Sequence, residues 1–232
     1  MNTPAELIRQ HLETVAALRA QPDAALPAIK RLQAQRFEAT YADLLSTPRY
    51  QPATRFFLDE LYGDHDFAQR DAQFGRIAGA IERLFPQAVV QLAVDMAELH
   101  ALTEGLDAEM ARHWGRLTEA TPAARYVAAW RLTGQRSQRE RQLRVVLHMG
   151  RELQQLTGKK SLRLALRMMR GPAQAAGLGA LQGFLEAGFD AFGHMGGADG
   201  FLNTIASRER AWIDRLFDSP EASAALAELL PT

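Results

Sequence analysis

Apolar side chains recur along this chain at three- and four-residue steps, punctuated by proline, glycine and capping residues, and that rhythm predicts helices from end to end. Thr3-Pro4-Ala5-Glu6 combines a capping box with proline at the first helical position, so a helix is expected to run to about Arg19. A second is expected from about Ala24 to Leu45, closed by STPRYQP, and a third over ATRFFLDELYG, with Gly63 as a left-handed cap. The next spans about 66–85, with Asp66 as its cap and Pro86 as its stop. Another covers about 87–104, is interrupted near Gly105 and resumes to about Leu117. Thr121-Pro122 opens a helix that ends at Gly134, and Ser137-Gln138-Arg139-Glu140 is a second capping box opening a helix to about Thr157. A short basic helix over 161–170 precedes a glycine-rich one over 172–193, and helices over about 199–217 and 220–230 finish the chain. The pattern predicts an all-α protein, a single multi-helix bundle of about ten helices with no significant sheet. It forms one domain over 1–232, with 118–137 the stretch at which it would divide.

Composition agrees with the pattern. The chain has 40 alanines and 31 leucines against 7 valines and 6 isoleucines, a skew toward helix. Its 232 residues are enough to bury a substantial core. There is no cysteine, which removes disulfides, thiolate catalysis, Cys-ligated zinc and iron–sulfur clusters from consideration. The first twenty residues lack the charged-then-apolar order of a signal peptide, and no apolar run is long enough for a membrane span, so a cytoplasmic protein is expected. With 27 basic and 27 acidic side chains the net charge is zero. That balance conceals an asymmetry: residues 131–170 hold eleven Arg and Lys and only two acids, Glu140 and Glu152.

The glycine-rich segment raises the first question of chemistry. Each glycine inside a helix costs roughly 1 kcal/mol against alanine, yet GPAQAAGLGALQGFLEAGFDAFGHMGG carries Gly177, Gly179, Gly183, Gly188 and Gly193. On one continuous helix, Ala175, Gly179, Gly183, Ala187 and Ala191 would form a row of small residues against which another backbone could lie closely, within the core or across an oligomer interface. The alternative is that a flat ligand lies on the bare backbone at Gly179 and Gly183. That pair resembles the glycine-bearing, kinked helix of haem oxygenases, and the resemblance implies an iron or haem site with His11 in the proximal position.

Metal ligands in helical bundles come as Glu, Asp and His spaced i,i+3 or i,i+4 on facing helices. Three such pairs occur, His100 with Glu104, Glu109 with His113, and Asp190 with His194, the last extended by Glu186. Pairs of this spacing also stabilise a helix surface with no metal at all. In KSLRLALRMMR, Lys160, Arg163, Arg167 and Arg170 share one face and Leu162, Leu166 and Met169 another. Such a basic amphipathic helix suits nucleic acid, anionic lipid or an acidic partner, or it pairs with the acidic remainder of its own chain. The stretch 131–170 contains no Phe, Tyr or Trp, so stacking on single-stranded bases is not supported.

The segment RFFLDELYGDHDFAQRD gathers four aromatic side chains with Asp59, Tyr62 and Arg70, which could orient a ligand at a pocket mouth, although a short buried helix explains the aromatics equally. That segment, with MRGPAQAAGLGALQGFLEAGFDAF and FLNTIASRERAWIDRLF, resembles an uncharacterised family of proteobacterial proteins of similar length over about residues 40–217. The resemblance implies a single conserved unit in a bacterial cytoplasm and brings no activity with it. No nucleophile elbow, phosphate-binding loop or dinucleotide fingerprint is present. The leading expectation is therefore a helical protein acting through a partner or as a homo-oligomer. A haem-oxygenase-like metal- or tetrapyrrole-binding oxidase comes second, and an anion-binding surface over 131–170 third.

Overall fold

A computed structural model describes residues 2–21, 23–61 and 67–230. Among the described residues there are thirteen helices and no strand: α1 (Pro4–Arg19), α2 (Leu26–Thr40), α3 (Ala42–Ser46), α4 (Gln51–Leu61), α5 (Ala68–Leu84), α6 (Gln87–Trp114), α7 (Pro122–Thr133), α8 (Arg136–Thr157), α9 (Lys160–Met168), α10 (Arg170–Ala175), α11 (Gly179–Met195), α12 (Asp199–Asp218) and α13 (Ala222–Ala227). Ten of them are nine residues or longer. None of the described helices is long and apolar enough to cross a membrane.

Local chemistry sets several boundaries where the sequence placed them. At the start of α1 the Thr3 hydroxyl accepts from Glu6 N–H at 3.3 Å while the Glu6 carboxylate accepts from Thr3 N–H at 2.8 Å. Thr121 caps α7 with its hydroxyl alone, which accepts from Ala124 N–H at 3.2 Å, with Pro122 behind it, and Gly134 closes that helix at φ +63°.

Three boundaries differ from expectation, each for a physical reason, while the expected caps Gly63 and Asp66 lie outside the described residues. The expected helix over 24–45 breaks at Tyr41, whose buried ring and hydroxyl are held inside the core, so α3 starts afresh. Gly105 does not interrupt α6, because Glu104, Leu106 and Asp107 beside it are all buried and their packing outweighs the glycine's propensity cost. Ser137 caps nothing. Gly134 and Gln135 both take positive φ, turn the chain sharply and start α8 at Arg136, so the supposed capping box lies inside the first turn.

The glycine-rich segment is two helices, not one. Gly177 stands at φ +69°, its N–H donates to Gln174 O, and Leu178 N–H donates to Ala173 O at 2.7 Å. That pattern is a Schellman cap, so Gly177 ends α10 and the row running on from Ala175 does not exist as one face. The glycines that permit close approach are others. A Cβ on Gly188 would meet the Phe56 ring at 3.0 Å, and one on Gly150 would collide with Leu202.

The buried apolar side chains form two clusters. The larger is built from α2, α3, α4, α7, α8, α11, α12, α13 and α6 from Leu99 onward, around Tyr41, Tyr126, Phe201 and Leu216. Residues on both sides of 118–137 contribute to it. The smaller packs Ala5, Ile8 and Leu12 of α1 against Phe74, Ala78 and Ile81 of α5, Val90 and Val94 of α6, and Leu181 of α11. The long helix α6 belongs to both.

Candidate functional site

Where the two clusters meet they do not close. Phe57, Leu99 and Val146 of the larger and Phe74, Ile81 and Leu181 of the smaller face a cavity of about 160 Å³. Five helices line it with helical-period rows: 74, 77 and 81 on α5 and its cap Phe85, 89, 92, 93, 96 and 99 on α6, 146, 149, 150 and 153 on α8, 181, 184, 185 and 188 on α11, and Phe56 and Phe57 on α4. Of the nineteen lining residues not one has a polar side chain. The rim is open at Phe85, 47 % exposed, and Leu185, 40 % exposed.

Behind Met96, Leu99 and Phe184 the apolar lining gives way to a chamber of about 30 Å³ walled by Lys30, Gln33, Glu60, Arg70, His100, Glu104 and Asp107. Its charges are paired helix to helix. Lys30, Gln33 and Arg36 of α2, three residues apart, each donate to an acid on another helix: to Glu104 at 2.7 Å, to Asp107 at 2.7 Å and, bidentately, to Glu209 at 2.9 and 3.0 Å. Arg70 donates to Glu60 at 3.0 Å and to Asp71 at 3.3 Å, and its guanidinium lies over the Phe184 ring at 4.9 Å. Asp71 also accepts from Arg19 at 2.8 Å, and its carboxylate lies 2.8 Å from His100 Nε2, which stands 3.1 Å from the same Arg19 guanidinium. Burial raises the Asp71 carboxyl, but the His100 hydrogen bond and the charges of His100, Arg70 and Arg19 outweigh it and hold the group below its usual range. Asp107 is the opposite case: burial pushes its carboxyl up against the opposing charges of Arg139 and Lys30 and the Gln33 hydrogen bond.

The candidate metal ligands are not brought together. His100 and Glu104 do share one face of α6, but His100 turns to Asp71 and Glu104 to Lys30. Glu109 is tied to Arg112 and lies 3.5 Å from His113 at the far end of α6. Glu186 accepts from Arg170 at 2.7 Å and Asp190 from Arg163 at 2.7 Å, while His194 is exposed. Among the described residues no group of three or more His, Asp or Glu is placed to hold a metal ion. Gly179 and Gly183 are exposed, and a Cβ on either would meet nothing within 4 Å. His11, on α1, faces Glu98 and Arg141, and α1 packs on α5 and α6 whereas α11 packs on α4, α5, α8, α9 and α10. The pieces of a haem site thus lie on separate parts of the molecule.

Two of the candidate sets meet each other instead. The acidic row of α11 supplies carboxylates to the basic face of α9, Asp190 to Arg163 and Glu186 to Arg170, while Arg167 stays exposed and Lys160 opens the helix. Asp59 lies exposed on α4 in an open groove shared with Arg55, Asp190 and His194. Tyr62 lies outside the described residues. Arg70 is buried away from Asp59, and its partner on α4 is the next residue, Glu60. The apolar cavity has no signature in the sequence. Its rows were visible as helical stripes, but whether facing stripes fill the space between them is not written in any one of them.

The fold is an all-α bundle whose distinguishing feature is an apolar cavity between two cores, backed by a paired ionic chamber. The chain belongs to the family described as a domain of unknown function, DUF8198, which matches residues 13–223. Comparison with curated proteins and with solved structures finds no match.

Proposed function

We propose that this protein binds a compact apolar molecule, or the apolar end of a larger one, in the cavity between α4, α5, α6, α8 and α11. The observation that carries this reading is the lining: nineteen residues from five helices without a polar side chain, enclosing about 160 Å³ and open to solvent at an apolar rim. A void of that size is costly to leave empty, because its walls forgo dispersion contacts. Cavities of about 150 Å³ lined by Leu, Ile and Phe exclude water and take up benzene or xenon, which sets the scale of the guest at about six carbon atoms. The ionic chamber serves this reading as a floor. Its charges are neutralised by one another, so it excludes a charged guest and fixes the helices around the void.

Methionine methyl groups report on the site directly, because Met96 and Met149 line the cavity whereas Met168 and Met169 lie on α9 and its cap. With 13C-methyl methionine, titration with toluene is expected to move the Met96 and Met149 resonances saturably and leave those of Met168 and Met169 in place. Ala93→Leu, which fills the cavity from α6, is expected to weaken toluene binding at least tenfold, about 1.4 kcal/mol, without lowering Tm. Unmoved Met96 and Met149 signals, or equal binding by the Ala93→Leu variant, would refute the proposal.

A further inference from the structure

We propose that α9 is a docking helix that seats the protein on an anionic lipid surface through Leu164 and Met168. The helix half-buries one apolar row, Leu162 and Leu166, on the body of the protein, where Gln182 Nε2 also donates to Leu166 O at 2.7 Å. A second apolar row points the other way: Leu164 is 61 % exposed and Met168, one turn on, 71 %, with Met169 beside them at 50 %. Folding gains nothing from leaving three large apolar side chains in water on one nine-residue helix and its cap.

The charges around this row select the partner. Lys159 and Arg167 are exposed, Lys160 opens the helix, and Arg163 and Arg170, though paired with Asp190 and Glu186, keep 43 % and 57 % of their side chains in solvent. Four cations, Lys159, Arg163, Arg167 and Arg170, thus face two carboxylates, and the excess flanks the apolar row rather than covering it. Apolar side chains projecting between Lys and Arg is the chemistry of a helix lying in a headgroup layer, the methyl groups in the acyl boundary and the cations among phosphates. A protein partner would favour charge depletion at the centre of the patch. A nucleic acid would use the cations and leave Leu164 and Met168 in water. A single short helix of this kind gives reversible attachment, not anchoring. The surface adjoins the cavity rim, since Leu185 lines the cavity and the next residue, Glu186, holds Arg170. Docking therefore brings the rim toward the bilayer. That consequence rests on the cavity reading, whereas the docking does not.

The test is cosedimentation of the full chain with vesicles of phosphatidylcholine containing phosphatidylglycerol, against vesicles of phosphatidylcholine alone, at low and physiological salt. Binding is expected to the anionic vesicles and to weaken as salt rises. Leu164→Ser with Met168→Ser, at exposed positions, is expected to leave the thermal melt in place and to weaken binding at least tenfold. Lys159→Gln with Arg167→Gln is expected to weaken it by about fivefold per charge. No pelleting with anionic vesicles at low salt overturns the proposal, as does pelleting that Leu164→Ser with Met168→Ser leaves intact. Tighter retention on duplex DNA than on vesicles would reassign the surface to nucleic acid. A dimer in light scattering that this same double variant dissolves would reassign it to a second copy of the chain. Either result also overturns the proposal.

Discussion

Asp107 accepts one hydrogen bond, from Gln33, and is otherwise enclosed. Because burial raises its carboxyl above the unfolded value, the unfolded chain gives up this proton first as pH rises. Asp107 therefore contributes stability at acid pH that is lost as pH climbs through its folded value. Asp107→Asn, which keeps the acceptor and abolishes the titration, is expected to gain on the parent protein in urea unfolding as pH rises above the ordinary aspartate range. A constant difference over that rise would show that Asp107 does not titrate differently in the two states. Asp71 runs the other way: its lowered carboxyl supplies stability at neutral pH that is lost as pH falls through its folded value. The Lys30–Glu104 pair makes the cost of incomplete pairing measurable. Glu104→Ala leaves the Lys30 ammonium, largely withdrawn from water, without its partner and is expected to cost about 3–5 kcal/mol. Lys30→Met with Glu104→Leu, an apolar pair of similar size, is expected to recover most of that loss in the same unfolding assay.

Helix ends and glycines show which parts of the elements the sequence made legible. Thr3, Pro86 and Thr121 act within a turn of their own position, so the starts of α1, α6 and α7 could be read directly. Gly177 could not, because a glycine inside a helix and a glycine ending one leave the same mark on an apolar period. Only the hydrogen bonds to Ala173 and Gln174 tell them apart. Substitution separates the glycines by role. Gly183 is exposed with open space at its Cβ, so Gly183→Ala is expected to stabilise by about 0.5–1 kcal/mol. Gly188→Ala drives a methyl into Phe56, and is expected to destabilise by about 1–3 kcal/mol in thermal or urea unfolding. Destabilisation at both positions would revive a tight-packing role for the exposed row. The same limit applies to the site. The spacing of His100 and Glu104 puts them on one face of α6, as read from the sequence, but the helices opposite, carrying Asp71 and Lys30, decide which partner each side chain takes.

At the scale of the whole molecule, the two apolar clusters are joined by α6, which runs through both, and by α11, which lends Leu181 to the smaller. Between them lie the cavity and the paired chamber, so the seam offers neither the dispersion contacts of a filled core nor the hydration of a surface. The cavity consequently makes volume a variable that separates the folded from the unfolded chain. Space that collapses when the helices part leaves the unfolded state the smaller one, by on the order of tens of millilitres per mole. Hydrostatic compression should therefore pry this bundle apart along the seam between its cores, and a guest seated in the cavity is what would brace it.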